Sequence, residues 1–142
     1  MNMKVRWIVF VILSATDRAA KCWAKANLPE TLGNAVIPSL SLYRNEGISF
    51  SLMKNSPHAS LAATILGMGI LAFLCARIAP ARKSFGVIFL WAGAAGNLAD
   101  RLLYGHVIDW IYVGEYINLA DIWLVIGGLV FFAEIVRAGK PL

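Results

Sequence analysis

The chain has 142 residues, 59% of them hydrophobic, and a formal net charge of +5. A soluble domain is about 45–50% apolar, so this composition excludes an ordinary water-soluble domain and predicts one integral membrane domain over residues 1–142. The positive charge does not signal nucleic acid, because the lysines and arginines are scattered between apolar runs rather than clustered with aromatics.

Taken in order, the apolar runs predict four transmembrane helices. The first, about 5–26, begins behind Lys4 and Arg6. A cleaved signal peptide is the rival reading, with Ser14-Ala15-Thr16 as a tolerable small-residue site. An uncleaved span is preferred, because the helical pattern runs on through Ala19, Ala20, Cys22, Trp23 and Ala24 and meets no proline until Pro29. Asp17 lies about 18 Å along this helix from Val5 at 1.5 Å per residue. Lys21 is one turn on and can pair with it. Two readings of this basic helix end compete. In one, Arg18, Lys21 and Lys25 snorkel to the outer interface; in the other, Asp17 and Lys21 brace a functional site or a lipid head group.

From Leu40 to Leu52, apolar residues alternate with Ser41, Tyr43, Ser49 and Ser51. That period predicts a small outer β-hairpin over 38–53, turning at Arg44-Asn45-Glu46-Gly47. Asn45 beside Gly47 has an ordinary role as a turn former. The second span, 58–79, contains Gly67 and Gly69, where helices can approach closely. The third, 84–104, carries the small-residue face Gly93-Ala94-Ala95-Gly96. A short extramembrane connection follows, and the fourth span covers 119–136. Cys22 and Cys75 have no metal-ligand or disulfide spacing and are read as small buried hydrophobes. Excess Lys and Arg at the N-terminus, in the 77–83 turn and at the C-terminus puts both termini in the cytoplasm.

Against this apolar background, Asn97, Asp100 and Arg101 fall on one helix face, and Asp109, Asn118 and Asp121 follow closely. A charge at the centre of a membrane helix costs about 2.5–3.5 kcal/mol on insertion scales, so such a cluster marks a functional site. Simpler roles exist for parts of it. Asp100 and Arg101 can form a structural ion pair. Asn118 can be a helix N-cap, with Asp121 at the favourable third position. Two carboxylates brought close cannot both ionise, so one acts as acid and the other as base, which is the requirement for hydrolysing a peptide with water. Two acids in four spans could equally form a proton or cation path. The helix end favours an ionised Asp121. The apolar neighbours of Asp109, with no hydrogen-bond donor evident in sequence, favour a protonated one.

The ordered motifs Asp17…Lys21, Asn45-Glu46-Gly47…Phe50-Ser51, Gly96-Asn97-Leu98-Ala99-Asp100-Arg101, Gly105-His106-Val107-Ile108-Asp109 and Ile117-Asn118-Leu119-Ala120-Asp121 together resemble the signal peptidase II (lipoprotein signal peptidase) family over essentially the whole chain. The resemblance implies four transmembrane helices with an outer β-cradle, in a bacterial inner membrane with the site toward the outer face. It implies a catalytic pair Asp109 and Asp121, with Asn45, Asn97, Asp100, Arg101, Asn118, Asp17 and Lys21 supporting the site or touching substrate. The implied substrate is a prolipoprotein cut before a diacylglyceryl-bearing cysteine. Membrane lipid is the other implied partner, with no metal, cofactor or nucleic acid. The alternative is a protein of this fold that has lost cleavage and binds lipoprotein or lipid, or carries protons. The sequence departs from the family at Ala20, where a Ser or Thr usually precedes the lysine, and at Ile117, where Phe is usual. The 12 residues from Asp109 to Asp121 are also fewer than in many members, whose longer connection carries a flap.

Overall fold

The computed structural model describes residues 2–30, 40–47, 56–77 and 84–139. Its long helices are α1 (Met3–Asn27), α2 (Pro57–Arg77), α3 (Gly86–Tyr104) and α4 (Leu119–Arg137), each within three residues of its expected bounds. Three short strands, β1 (Leu40–Asn45), β2 (Val107–Tyr112) and β3 (Tyr116–Ile117), form one antiparallel sheet in the order β1-β2-β3. The helix bounds follow local chemistry. Asn2 caps α1 by accepting from the Lys4 amide. Gly105 ends α3 at φ 76°, a left-handed conformation that favours glycine. Asn118 caps α4 in a reciprocal capping box with Asp121, as its position predicts.

β1 lies where it was expected, but its partner among the described residues is β2, with Tyr43 opposite Asp109 and Asn45 opposite Val107. The expected second strand at 48–52 lies outside the described residues. The 105–117 stretch is therefore sheet rather than a plain connection. Its own hairpin turns at Val113-Gly114-Glu115, closed by Val113 N–H donating to the Glu115 carbonyl at 3.0 Å, with Gly114 at φ 97°. Tyr116 stacks on Tyr43 at 4.8 Å and shares a 2.8 Å hydrogen bond with the Ser41 hydroxyl, fastening β3 to β1.

Packing is tightest between α3 and α4. A Cβ at Gly93 would collide with the Ala120 carbonyl, and one at Gly96 would sit 2.7 Å from an Asp17 carboxylate oxygen. The small-residue face of α3 thus does two things: Gly93 lets α4 close in, and Gly96 leaves room for the buried carboxylate of α1. Among the described residues, nothing comes within 4 Å of where a Cβ at Gly67 or Gly69 of α2 would sit, so neither marks a close helix approach there. Cys22 is exposed and Cys75 half-buried, so neither is the buried core residue expected.

The distribution of side chains is inverted relative to a soluble protein. Lys21, Asn118, Asp17, Asp100, Asp109 and Ser60 are the largest fully buried side chains, whereas Ile8, Val11, Leu66, Phe73, Leu129 and Phe132 are exposed. Burying charge in that way is costly unless every charge is paired, and an apolar exterior of this extent suits lipid rather than water. Helices α2 and α4 are long and apolar enough to cross a membrane.

Candidate active site

The buried polar residues form two connected layers. The inner layer is ionic. Lys21 Nζ lies 2.9 Å from Asp17 Oδ2 and 2.8 Å from Asp100 Oδ2, and it donates to Asn97 Oδ1 at 3.4 Å. Asp17 also accepts the Ala120 backbone N–H at 2.9 Å, tying α1 to the first turn of α4. Asp100 accepts the Ile108 amide at 3.2 Å, tying α3 to β2. Arg18 reaches the other Asp100 oxygen at 2.8 Å. Lys21 is therefore a buried brace and does not snorkel. Lys25 is the exposed cation of that helix end, 4.0 Å above the Tyr104 ring.

The Asp100–Arg101 ion pair, the simpler role open to these neighbours, does not form. Consecutive helix positions point about 100° apart, and the two side chains go to different partners. Asp100 turns to Lys21 and Arg18. Arg101 donates to the Ser60 hydroxyl on α2 at 3.1 Å, to the Gly47 carbonyl at 2.8 Å and to the Asn97 carbonyl at 3.3 Å. Arg18 and Ser60 were not singled out as site residues in sequence. Arg18 reads in sequence as one of three basic residues at a helix end, with nothing to mark its contact with Asp100, and a lone serine in an apolar helix gives no signal.

The outer layer holds the two aspartates. Asp109 is fully buried on β2. Asn45 Nδ2 donates to its Oδ2 at 2.8 Å, because Tyr43, Asn45, Val107 and Asp109 share one face of the β1–β2 pair. Asn118 Nδ2 donates to its Oδ1 at 2.5 Å. Asp121, half-buried, takes Asn97 Nδ2 at 2.8 Å on one oxygen and the Asn118 backbone N–H at 3.1 Å on the other. The two asparagines are themselves joined, Asn118 Nδ2 to Asn97 Oδ1 at 3.2 Å. An amide cannot change charge at these pH values, so the pair fixes both carboxylates without competing for their proton. Among the described residues, no group of three His, Cys, Asp or Glu side chains is gathered as metal ligands.

Asp109 has the donors that sequence did not reveal, Asn45 and Asn118, yet its pKa is pushed up to about 7. Burial is the main cause and the nearby charge of Asp121 the second, and together they outweigh the two amides. Every expected site residue that the sequence singled out joins this connected network. The arrangement provides a buried carboxyl near neutrality facing a more accessible carboxylate, the acid–base pairing that hydrolysis by water requires.

An apolar-surfaced helical bundle around such a core has the fold of a membrane enzyme. A bacterial membrane enzyme solved by the in meso method superposes with a TM-score of 0.77 at 21% identity, over 97% of this chain and 91% of that one. A second such structure gives 0.75 at 22% identity, over 95% and 94%. A family profile for signal peptidase (SPase) II matches residues 9–137. A lipoprotein signal peptidase of Bartonella tribocorum is 33% identical over 92% of this chain and 88% of its own length. One from Xanthomonas oryzae pv. oryzae is 34% identical over 94% and 93%. The chain belongs to the signal peptidase II family, a family of aspartic-type membrane peptidases.

Proposed function

We propose that the protein removes signal peptides from prolipoproteins, cutting before a cysteine that already carries diacylglycerol, with Asp109 and Asp121 as the catalytic pair. The observation that carries this reading is the shared suspension of the two carboxylates: the Asn118 side chain donates to Asp109 and the Asn118 backbone N–H to Asp121, while Asn97 donates to Asp121 and accepts from Asn118. Ionised Asp121 takes a proton from a water while the water oxygen adds to the scissile carbonyl carbon. Protonated Asp109 gives its proton to the carbonyl oxygen. When the tetrahedral intermediate collapses, Asp121 delivers its proton to the leaving nitrogen, and Asp109 recovers one from the gem-diol hydroxyl that becomes the new carbonyl oxygen. Water is consumed, and both carboxyls return to their starting states without a covalent intermediate.

Four membrane spans with both termini cytoplasmic accompany this reading. The Lys and Arg residues at the helix ends away from the site support that orientation. It places the sheet and the aspartates at the outer face of the inner membrane, level with a lipid-anchored cysteine. The exposed apolar flanks of α2 and α4 give an acyl chain and a signal helix an apolar approach. The test is cleavage of a diacylglyceryl-modified prolipoprotein by the purified protein in detergent or lipid, with the unmodified precursor alongside. Cleavage of the modified form alone is expected. A folded protein that cuts neither would favour the proton-path alternative.

A further inference from the structure

Ser60 belongs to neither aspartate's immediate surroundings, and nothing in the family motifs includes it. It is nevertheless fully buried in the first turn of α2, where an apolar residue would serve packing better. Its hydroxyl accepts from Arg101 Nε at 3.1 Å and donates to the Pro57 carbonyl at 3.3 Å. Arg101 carries the contact onward, with Nη2 donating to the Gly47 carbonyl at 2.8 Å. The Gly47 N–H donates to Asn45 Oδ1 at 3.0 Å. Because the oxygen of that amide is held, its nitrogen is aimed the other way, at Asp109 Oδ2, 2.8 Å off.

We infer that Ser60 is a positioning residue for the cleavage reaction, setting the Asn45–Asp109 hydrogen bond through Arg101 and Gly47. The chain of contacts is the argument. A guanidinium has a rigid planar fork, so fixing Nε fixes where Nη2 points. Without the Ser60 oxygen, Nε is a buried donor with no acceptor and the fork is free to rotate toward one. The Gly47 carbonyl is then released, and the Asn45 amide with it. Pro57 caps nothing in this path; its carbonyl only orients the hydroxyl so that a lone pair faces Arg101. The inference rests on the assignment of Asp109 to the catalytic pair.

The experiment uses the full-length protein and a diacylglyceryl-modified prolipoprotein. Ser60→Ala should lower kcat by about tenfold, the scale of one charge-assisted hydrogen bond, with KM within about twofold because no substrate contact is lost. The upper pH limb of kcat/KM should move to higher pH, since Asp109 loses a donor that favours its ionised form. Ser60→Thr, which restores the hydroxyl, should recover both. Asn45→Ala should produce the same pH displacement, and Ser60→Ala should add little to it in the double variant, as expected for two residues acting in one chain. A merely structural serine would lower the melting temperature but leave the pH limb in place, and its effect would add to that of Asn45→Ala. Either result overturns the inference. Asp109→Asn is the control. If it remains active, the catalytic assignment fails; if it is inactive while Ser60→Ala matches the unaltered protein in rate and pH profile, only the role of Ser60 fails.

Discussion

Asn118 holds Asp109 with the same side chain that starts α4: its Nδ2 donates to Asp109 Oδ1 at 2.5 Å while its Oδ1 accepts the Asp121 backbone N–H at 3.1 Å. Capping and site-building are thus one residue's work, and substitution can separate them. Serine caps a helix about as well as asparagine but has no second arm to reach Asp109. Asn118→Ser should therefore keep stability within about 1 kcal/mol while losing most of the activity. Asn118→Ala should lose both. Thermal melts beside cleavage assays check this, and activity in Asn118→Ser near that of the unaltered protein would reduce Asn118 to a cap.

Asp109→Asn and Asp121→Asn should each abolish cleavage, a loss of about 10²–10⁴-fold or more, because each removes one partner of an acid–base pair. Neither changes volume appreciably, so both proteins should fold. The double variant should be scarcely worse than either single one. Turnover near that of the unaltered protein in either single variant would contradict the mechanism.

Asp100 makes a different prediction. It is buried against Lys21, also fully buried, and against partly exposed Arg18. Asp100→Asn leaves Lys21 with only Asp17 as a charged partner, and breaking a buried pair of this kind costs about 3–5 kcal/mol. Arg18→Gln should cost no more than about 1 kcal/mol, because that pair is partly solvated. The melting temperature should fall far more for Asp100→Asn. If instead the Arg18 variant is the less stable, the buried brace does not centre on Lys21.

What was legible in sequence divides along physical lines. The four helices follow from long, predominantly apolar stretches without a breaking proline, and Asn118 with Asp121 follows from local capping geometry, since both depend on residues near in sequence. The pairing of β1 with β2 was hidden because Val107, Ile108 and Asp109 are all buried, which gives no period-two alternation to read. The partners of Asp100 and Arg101 were hidden for another reason. Which buried cation meets which carboxylate depends on helix rotation, and on space such as Gly96 leaves for the Asp17 carboxylate beside α3. Likewise Gly67 and Gly69 look like packing residues on a helix wheel, but among the described residues nothing lies within 4 Å of where their Cβ atoms would be.

The proposed orientation is open to chemical labelling. Ser56 precedes α2 at the end nearest Arg101 and the sheet. In a variant whose Cys22 and Cys75 are replaced by Ala, Ser56→Cys should react with a membrane-impermeant thiol reagent on intact spheroplasts. Reaction only after lysis would put the aspartates on the cytoplasmic side and reverse the topology.

The last prediction concerns the proton. Asp109 ionises at about pH 7 in the folded protein against 3.8 for an unperturbed aspartate, because burial and then the Asp121 charge disfavour its ionised form. Two pH effects follow. In catalysis Asp109 must be protonated to polarise the carbonyl, so kcat/KM should fall as pH rises through about 7. In stability, the folded protein keeps a proton that the unfolded chain has released over the window from about 4 to about 7. The Asp109 contribution to stability is therefore greatest below about pH 4, declines across that window and levels off above it. Asp109→Asn should flatten this part of the stability profile. A carboxyl stretch in infrared difference spectra at pH 6 locates the proton. The band should persist in Asp121→Asn and vanish in Asp109→Asn; the opposite pattern would place the proton on Asp121 and exchange the acid and base roles.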